Sequence, residues 1–294
     1  MSYFVVYHSK NTCFSSKYNF HQSALKYYNS IPKKYAKIIF KENSIIKTYG
    51  NNKWINKILK YVNSNLTSLF IFINILDVYF DRIFIINLDK RVDRWNKIIL
   101  QLEQLKINNY ERFSAIIPDI DNINKKYFNN FTYPKSHKVT KQYYIGAIGC
   151  KLSHYNIVKL CKQRNYKNVL ILEDDVILNS NIDNRFRKII QNNKDIDWDM
   201  LYLGGNYIKG NKINSSLFKI KKCLTTHAYA IKNILYDFIL NNCLQSGTEI
   251  DVFYTNIQSK FNCYGIQKPL AHQADDFSDI QGRVVKYNLN KVIK

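Results

Sequence analysis

Residues Val169-Leu170-Ile171-Leu172 run without a break into three acids, Glu173, Asp174 and Asp175, before Val176-Ile177-Leu178 turns apolar again. The apolar run, with its β-branched members, reads as a short strand buried on both faces. Carboxylates at the rim of an apolar core are strongly disfavoured unless a cation meets them, or else they take up protons. A hard divalent cation is the natural partner, because it prefers oxygen ligands and keeps positions open for phosphate oxygens. In an open α/β sheet the carboxyl end of a strand is also where ligands are received. The competing reading is local: Asp174 or Asp175 caps a following helix or meets a nearby lysine.

The chain has 294 residues and 46% apolar composition, enough for one large α/β domain or two modest ones. With 4 Pro and 9 Gly it is not a collagen-like or low-complexity sequence. A formal net charge of +22 raises the question of a polyanionic partner. The lysines are scattered through the whole chain alongside abundant asparagine, so no nucleic-acid partner is expected. The 6 cysteines are far apart and form no C-x-x-C pair, which fits reduced thiols better than a zinc site or disulfide framework. The opening Met1–His8 lacks the pattern of a secretory leader, and Leu69–Phe80 is too short and too polar to span a bilayer. A cytoplasmic location without a membrane span is the expectation.

Residues 1–80 read as an N-terminal extension or small subdomain of unknown role, with an amphipathic helix expected over Trp54–Val62. Regular alternation begins at Ile83-Phe84-Ile85-Ile86, a buried strand. A polar loop follows, then a helix from Trp95 to Ile107 with Ile98, Ile99, Leu102 and Leu105 on one face. Arg91 and Arg94 sit where that loop meets the helix start, a place suited to an anion; alternatively they are solvated or pair with Asp89 and Asp93. A short strand is expected at Tyr110–Ile116. Gly146–Gly149 reads as a close-approach segment leading into a helix from Leu152 to Cys161, with His154 either structural or chemical. Asp197 and Asp199 alternate ahead of the strand Met200–Gly204, as support for a metal or phosphate site or as a simple turn. Further strands and helices are expected at Thr226–Ile231, Asn233–Cys243 and beyond.

Taken in order, several blocks resemble glycosyltransferase family 25, which includes lipooligosaccharide and procollagen galactosyltransferases. They are Ile86–Trp95, Gly146–His154, Leu172–Val176, Asp197-Trp198-Asp199 with Tyr202-Leu203-Gly204, Ala228–Ile231, and the late Gln273 and Ser278-Asp279-Ile280. The likeness covers about residues 83 to 280. It implies a GT-A-like, Rossmann-type mixed sheet flanked by helices over residues 81–294. It also implies a UDP-sugar donor (galactose or glucose), Mn2+ or Mg2+ as cofactor, a glycan or hydroxylysine-bearing protein as acceptor, and inversion at the transferred carbon. By the same resemblance Glu173 and Asp175 hold the metal, and Asn87, Leu88, Arg91 and Arg94, with His154 and Asp174, hold the nucleotide. Asp251 becomes the candidate general base, with Asp197 and Asp199 behind it. The sequence departs from the family where Ile116-Ile117-Pro118-Asp119 replaces an Asp-Gly pair, and where Glu249-Ile250-Asp251 replaces Pro-Val-Asp. The alternatives are an inactive transferase-like scaffold and a basic nucleic-acid-binding protein on the same fold.

Overall fold

The computed structural model describes residues 6–8, 38–42, 45–49, 74–119 and 141–286. In chain order its first elements are β1 (Val6–His8), β2 (Ile38–Glu42), β3 (Ile45–Tyr49), α1 (Ile75–Tyr79), β4 (Arg82–Asn87), α2 (Val92–Gln104) and β5 (Tyr110–Ser114). Then come α3 (Lys141–Gln163), β6 (Asn168–Glu173), β7 (Val176–Leu178), α4 (Ile182–Asn192), β8 (Met200–Lys212) and β9 (Leu217–Lys232). The last are α5 (Tyr236–Asn242), α6 (Ile250–Gln258), β10 (Cys263–Ile266), β11 (Ala271–Gln273), β12 (Asp276–Ser278) and β13 (Arg283–Val285). The helix expected over Trp54–Val62 lies outside the described residues.

The chain divides into two units. The first comprises Met1–Tyr79, Leu105–Asn108 and Asn181–Ile196. It contains the β1-β2-β3 sheet, in which β2 is parallel to β1 and antiparallel to β3. In the same unit the Ile75 amide donates to Asp183 on α4 at 2.6 Å, and Arg187 one turn on donates to that carboxylate at 3.0 Å.

The second unit comprises Phe80–Gln104, Asn109–Ser180 and Asp197–Lys294, and it holds a six-stranded mixed sheet in the order β10-β8-β9-β6-β4-β5. β4, β5 and β6 are parallel, whereas β9 runs antiparallel to both β6 and β8. β8 therefore points the same way as β6. The uninterrupted apolar runs Ile83–Ile86 and Val169–Leu172 become the central strands because helices cover both faces; all eight residues are buried. Each such side chain, fully buried, contributes roughly 1.5–3 kcal/mol relative to exposure. Register then builds the site: Ile86 lies beside Glu173 and Asn87 beside Ser114, so three polar residues reach the same carboxyl-end rim.

The helix expected from Leu152 begins instead at Lys141, and Gly146 and Gly149 lie inside it. Both are small because tertiary neighbours leave no room. A Cβ on Gly149 would fall 2.4 Å from the carbonyl oxygen of Ile116, and one on Gly146 would fall 2.9 Å from the Cα of Ile280. Ala147, Ile148, Lys151, His154, Ile157, Val158 and Cys161 form its buried stripe, at helical spacing. Among the described residues no helix is long and apolar enough to cross a membrane.

Candidate active site

The carboxyl-end rim of β4 and β6 opens onto a cleft of about 370 Å³ in the second unit. Glu173, Asp174 and Asp175 line it, with Arg94, Lys90, Gln273 and Asp279. Its apolar lining is supplied by Ile86, Ala115, Ile116, Ile117, Pro118 and Ile280. Ile117 and Pro118 stand in the segment where the expected Asp-Gly pair is missing, so the wall there is aliphatic.

The three acids have three different environments. Asp174 is already neutralised: Arg94 donates to its Oδ1 at 3.0 Å and the Asn87 amide to its Oδ2 at 2.7 Å. Asn87 is itself held, because its Oδ1 accepts two bonds from Arg112 at 3.0 and 2.6 Å. Asp175 receives Gln273 Nε2 on Oδ2 at 3.0 Å, but its Oδ1 is buried with no hydrogen-bond partner. Burial, and then the neighbouring charge of Glu173, push the Asp175 carboxyl up to about 7. Glu173 turns towards the sheet interior, where Thr226 Oγ1 donates to its Oε1 at 2.6 Å and His154 Nε2 stands 3.3 Å away.

The two arginines expected to receive an anion are held by acids of this chain. Burial opposes the charge on Arg94, but Asp175 and Asp174 outweigh it and raise its pKa. Its second amino group donates to the Phe277 carbonyl at 2.7 Å. Arg91 pairs with Asp93 at 2.9 Å and donates to Asp279, and Lys90 also lies 3.2 Å from Asp279. The strap Asp276–Ile280 is thus clamped to the start of α2, and Ser278, Asp279 and Ile280 become part of the cleft wall.

Of the expected nucleotide-binding set, Leu88, Arg94, His154 and Asp174 line the cleft, as do the metal candidates Glu173 and Asp175. Asn87 and Arg91 do not; Asn87 is fully buried behind Asp174, which it positions. Asp251 lies in the first turn of α6 and also does not line the cleft. Its Oδ2 accepts from the Thr225 amide at 3.1 Å, and burial raises its pKa. Asp197 and Asp199 require correction. They precede β8, which runs parallel to β6, so they sit at the amino end of the sheet, away from Glu173. There Asp199 accepts from the Asn262 amide at 2.8 Å, and Asp197 pairs with Lys232, which lies opposite Asn168 at the start of β6. The turn reading of that cluster is the one the geometry matches.

Sequence reasoning missed Cys150, which lines the cleft one helical turn before His154; it included Lys90 only within the Asn87–Arg94 loop expected to hold the nucleotide, and it assigned no role to Asp276. Spacing of four residues on a helix was the available signal for Cys150. Burial, followed by the charges of Glu173, Asp251 and Asp175, pushes the Cys150 thiol well up. The five described cysteines, including Cys150, are unpaired.

Comparison with known proteins gives one consistent picture. The model for glycosyltransferase family 25 (LPS biosynthesis protein) matches residues 80–248. A human protein named inactive glycosyltransferase 25 family member 3 is 27% identical over 140 residues, 45% of this chain and 23% of that protein. Human procollagen galactosyltransferase 2 is 28% identical over 137 residues, 42% of this chain and 21% of its own length. A glycosyltransferase 25 family member of Drosophila melanogaster is 30% identical over 136 residues, 44% of this chain and 22% of its own length. The matches thus span less than a quarter of these relatives.

Proposed function

The chain belongs to glycosyltransferase family 25, and from that premise we propose that it moves a hexose, galactose or glucose, from a UDP-sugar to an acceptor hydroxyl on a glycan or a hydroxylysine-bearing protein. One observation carries the reading: a buried Asp175 Oδ1 without a partner, in a cleft lined by three acids and by aliphatic side chains. A carboxylate oxygen in that position is a ligand waiting for a cation.

Mn2+ or Mg2+ fits the oxygen donors present, with Asp175 and Glu173 as the residues that would hold it. When bound, such an ion offsets the negative charge that builds on a departing nucleoside diphosphate. Arg94 keeps Asp174 and Asp175 close together without filling the Oδ1 position. Ile116, Ile117 and Pro118 give the cleft an aliphatic wall for a nucleobase, and Lys90, which lines the same cleft, is the cation we assign to the diphosphate. Asp251 serves in this proposal as the base that takes the acceptor's proton. It stands outside the cleft lining, at the start of α6 beside Thr225 of β9, so in this proposal the acceptor hydroxyl comes in from that side.

The family includes a relative named inactive, and the second reading is that this chain too binds without transferring. The intact acids and the unpartnered Asp175 oxygen favour transfer. The test is nucleotide release from a panel of UDP-sugars, with Mn2+ and with EDTA, for wild type and Asp175→Asn. Metal-dependent turnover of one donor, reduced at least about a hundredfold in the variant, is expected. Absence of turnover together with absence of any donor-dependent thermal shift would overturn the proposal.

A further inference from the structure

Behind the acidic rim a second group of ligand atoms converges. Cys150 and His154 are four residues apart on α3 and so share one face, and β6 ends with Glu173 directly opposite them. A cysteine Sγ, a histidine ring nitrogen and a carboxylate oxygen there all lie within 4.8 Å of one another. The histidine is completely buried. Its Nδ1 is 2.8 Å from the Tyr229 hydroxyl, which is in turn 3.0 Å from the Tyr254 hydroxyl. Its Nε2 is buried and makes no hydrogen bond, although Glu173 Oε1 is only 3.3 Å away. A ring nitrogen facing a carboxylate oxygen at that distance calls for a cation between them, either a proton or a metal ion.

We propose that Cys150, His154 and Glu173 form a binding site for a thiophilic divalent cation of the Zn2+ class, separate from the Asp175 Oδ1 position. The donor set decides the metal. One sulfur, one imidazole nitrogen and one carboxylate oxygen suit zinc, whereas magnesium and manganese favour oxygen alone. Three protein ligands leave a fourth position open, and all three residues line the cleft, so that position faces it. The Tyr229 hydroxyl holds the opposite ring nitrogen of His154, as an outer partner does in metal centres. The site needs no turnover to be detected and so stands or falls independently of the transferase proposal. Glu173 belongs to both cation positions, so zinc bound here competes with the Asp175 cation for that carboxylate.

The test is titration of the full, metal-stripped chain with Co2+ as a spectroscopic probe. One equivalent should bind with the visible bands of tetrahedral cobalt and a thiolate-to-cobalt charge-transfer band, and Zn2+ should bleach both. Cys150→Ser should lose the charge-transfer band. His154→Gln should weaken cobalt binding by roughly a hundredfold or more, and Tyr229→Phe by roughly 10–100-fold as an outer partner. Asp175→Asn should keep the band, which separates this position from the other. Circular dichroism establishes that each variant folds, and Cys150→Ala provides a second cysteine variant. Cobalt uptake without a charge-transfer band, a band that persists in both Cys150 variants, or no uptake at all would overturn the proposal. The last outcome would leave His154 and Glu173 as a proton-bridged pair.

Discussion

His227 on β9 gives a stability prediction that can be worked through to a number. Its side chain is buried, Nδ1 is 3.2 Å from the Thr225 hydroxyl, and Nε2 has no hydrogen bond. Burial lowers the imidazole pKa from 6.5 to about 4; Glu173 favours the charge and His272 opposes it. A histidine whose folded pKa lies below its unfolded value is neutral in both states at high pH. Its contribution is therefore fully present above pH 6.5 and is lost as pH falls towards 4, since only the unfolded chain gains the proton readily. At about 1.36 kcal/mol per pKa unit, going from about pH 7.5 to about pH 5 should remove about 2 kcal/mol through this group alone. Asp175 acts in the opposite direction: its carboxyl is raised to about 7, so it takes up a proton first in the folded state as pH falls. The difference between wild type and His227→Gln cancels that common contribution. The assay is urea unfolding of both proteins across this pH range in metal-free buffer. Wild type should lose about 2 kcal/mol more than the variant, or roughly 4–8 °C in Tm by the scaling for domains of 150–250 residues. Parallel pH profiles for the two proteins would refute the assignment of a neutral, buried His227.

Three further outcomes follow from the same geometry. Arg94→Met leaves Asp174, 9% exposed at its side chain, without its cation; by the general cost of breaking a buried pair, chemical denaturation should show a loss of about 3–5 kcal/mol. Gly149→Ala should improve local helix propensity by about 1 kcal/mol, yet it places a methyl against the Ile116 carbonyl. We expect overpacking to win, with a net loss of about 1–2 kcal/mol in urea unfolding and a displaced cleft wall that raises the donor KM. Tyr254→Phe removes the 3.0 Å hydroxyl contact to Tyr229 and should lower stability by about 1 kcal/mol in the same measurement.

The central strands were legible because burial on both faces writes itself as an unbroken apolar run, as in Ile83–Ile86 and Val169–Leu172. The acid triplet was legible for the related reason that charge at the end of such a run needs an explanation. What the pattern could not convey was direction. Asp197 and Asp199 look like site residues in the alternating code, but the parallel course of β8 carries them to the wrong end of the sheet. The inner glycines of α3 look like a loop, because local propensity records nothing of Ile116 and Ile280, the distant residues that need the space. The sequence offered Asp93 as a partner for Arg91, and that pair is present, but it gave no sign of Asp174 for Arg94 or of Asp279 for Arg91, which is 188 positions away in the chain. The pairing of Cys150 with His154 was open to a helical reading. Glu173, the third partner, becomes visible only once β6 is docked against α3.

The clamp between α2 and the Asp276–Ile280 strap sets an order of completion. A chain made from its amino end releases β4, α2, β6 and β9 long before residues 276–280 emerge. During that interval the sheet can assemble, and Arg94 has Asp174 available, but Arg91 and Lys90 lack Asp279. Of the residues that line the cleft, those of the strap emerge last. A nascent chain can thus hold its core while its pocket is still open to water, and removal of the strap from the folded chain would restore that open condition.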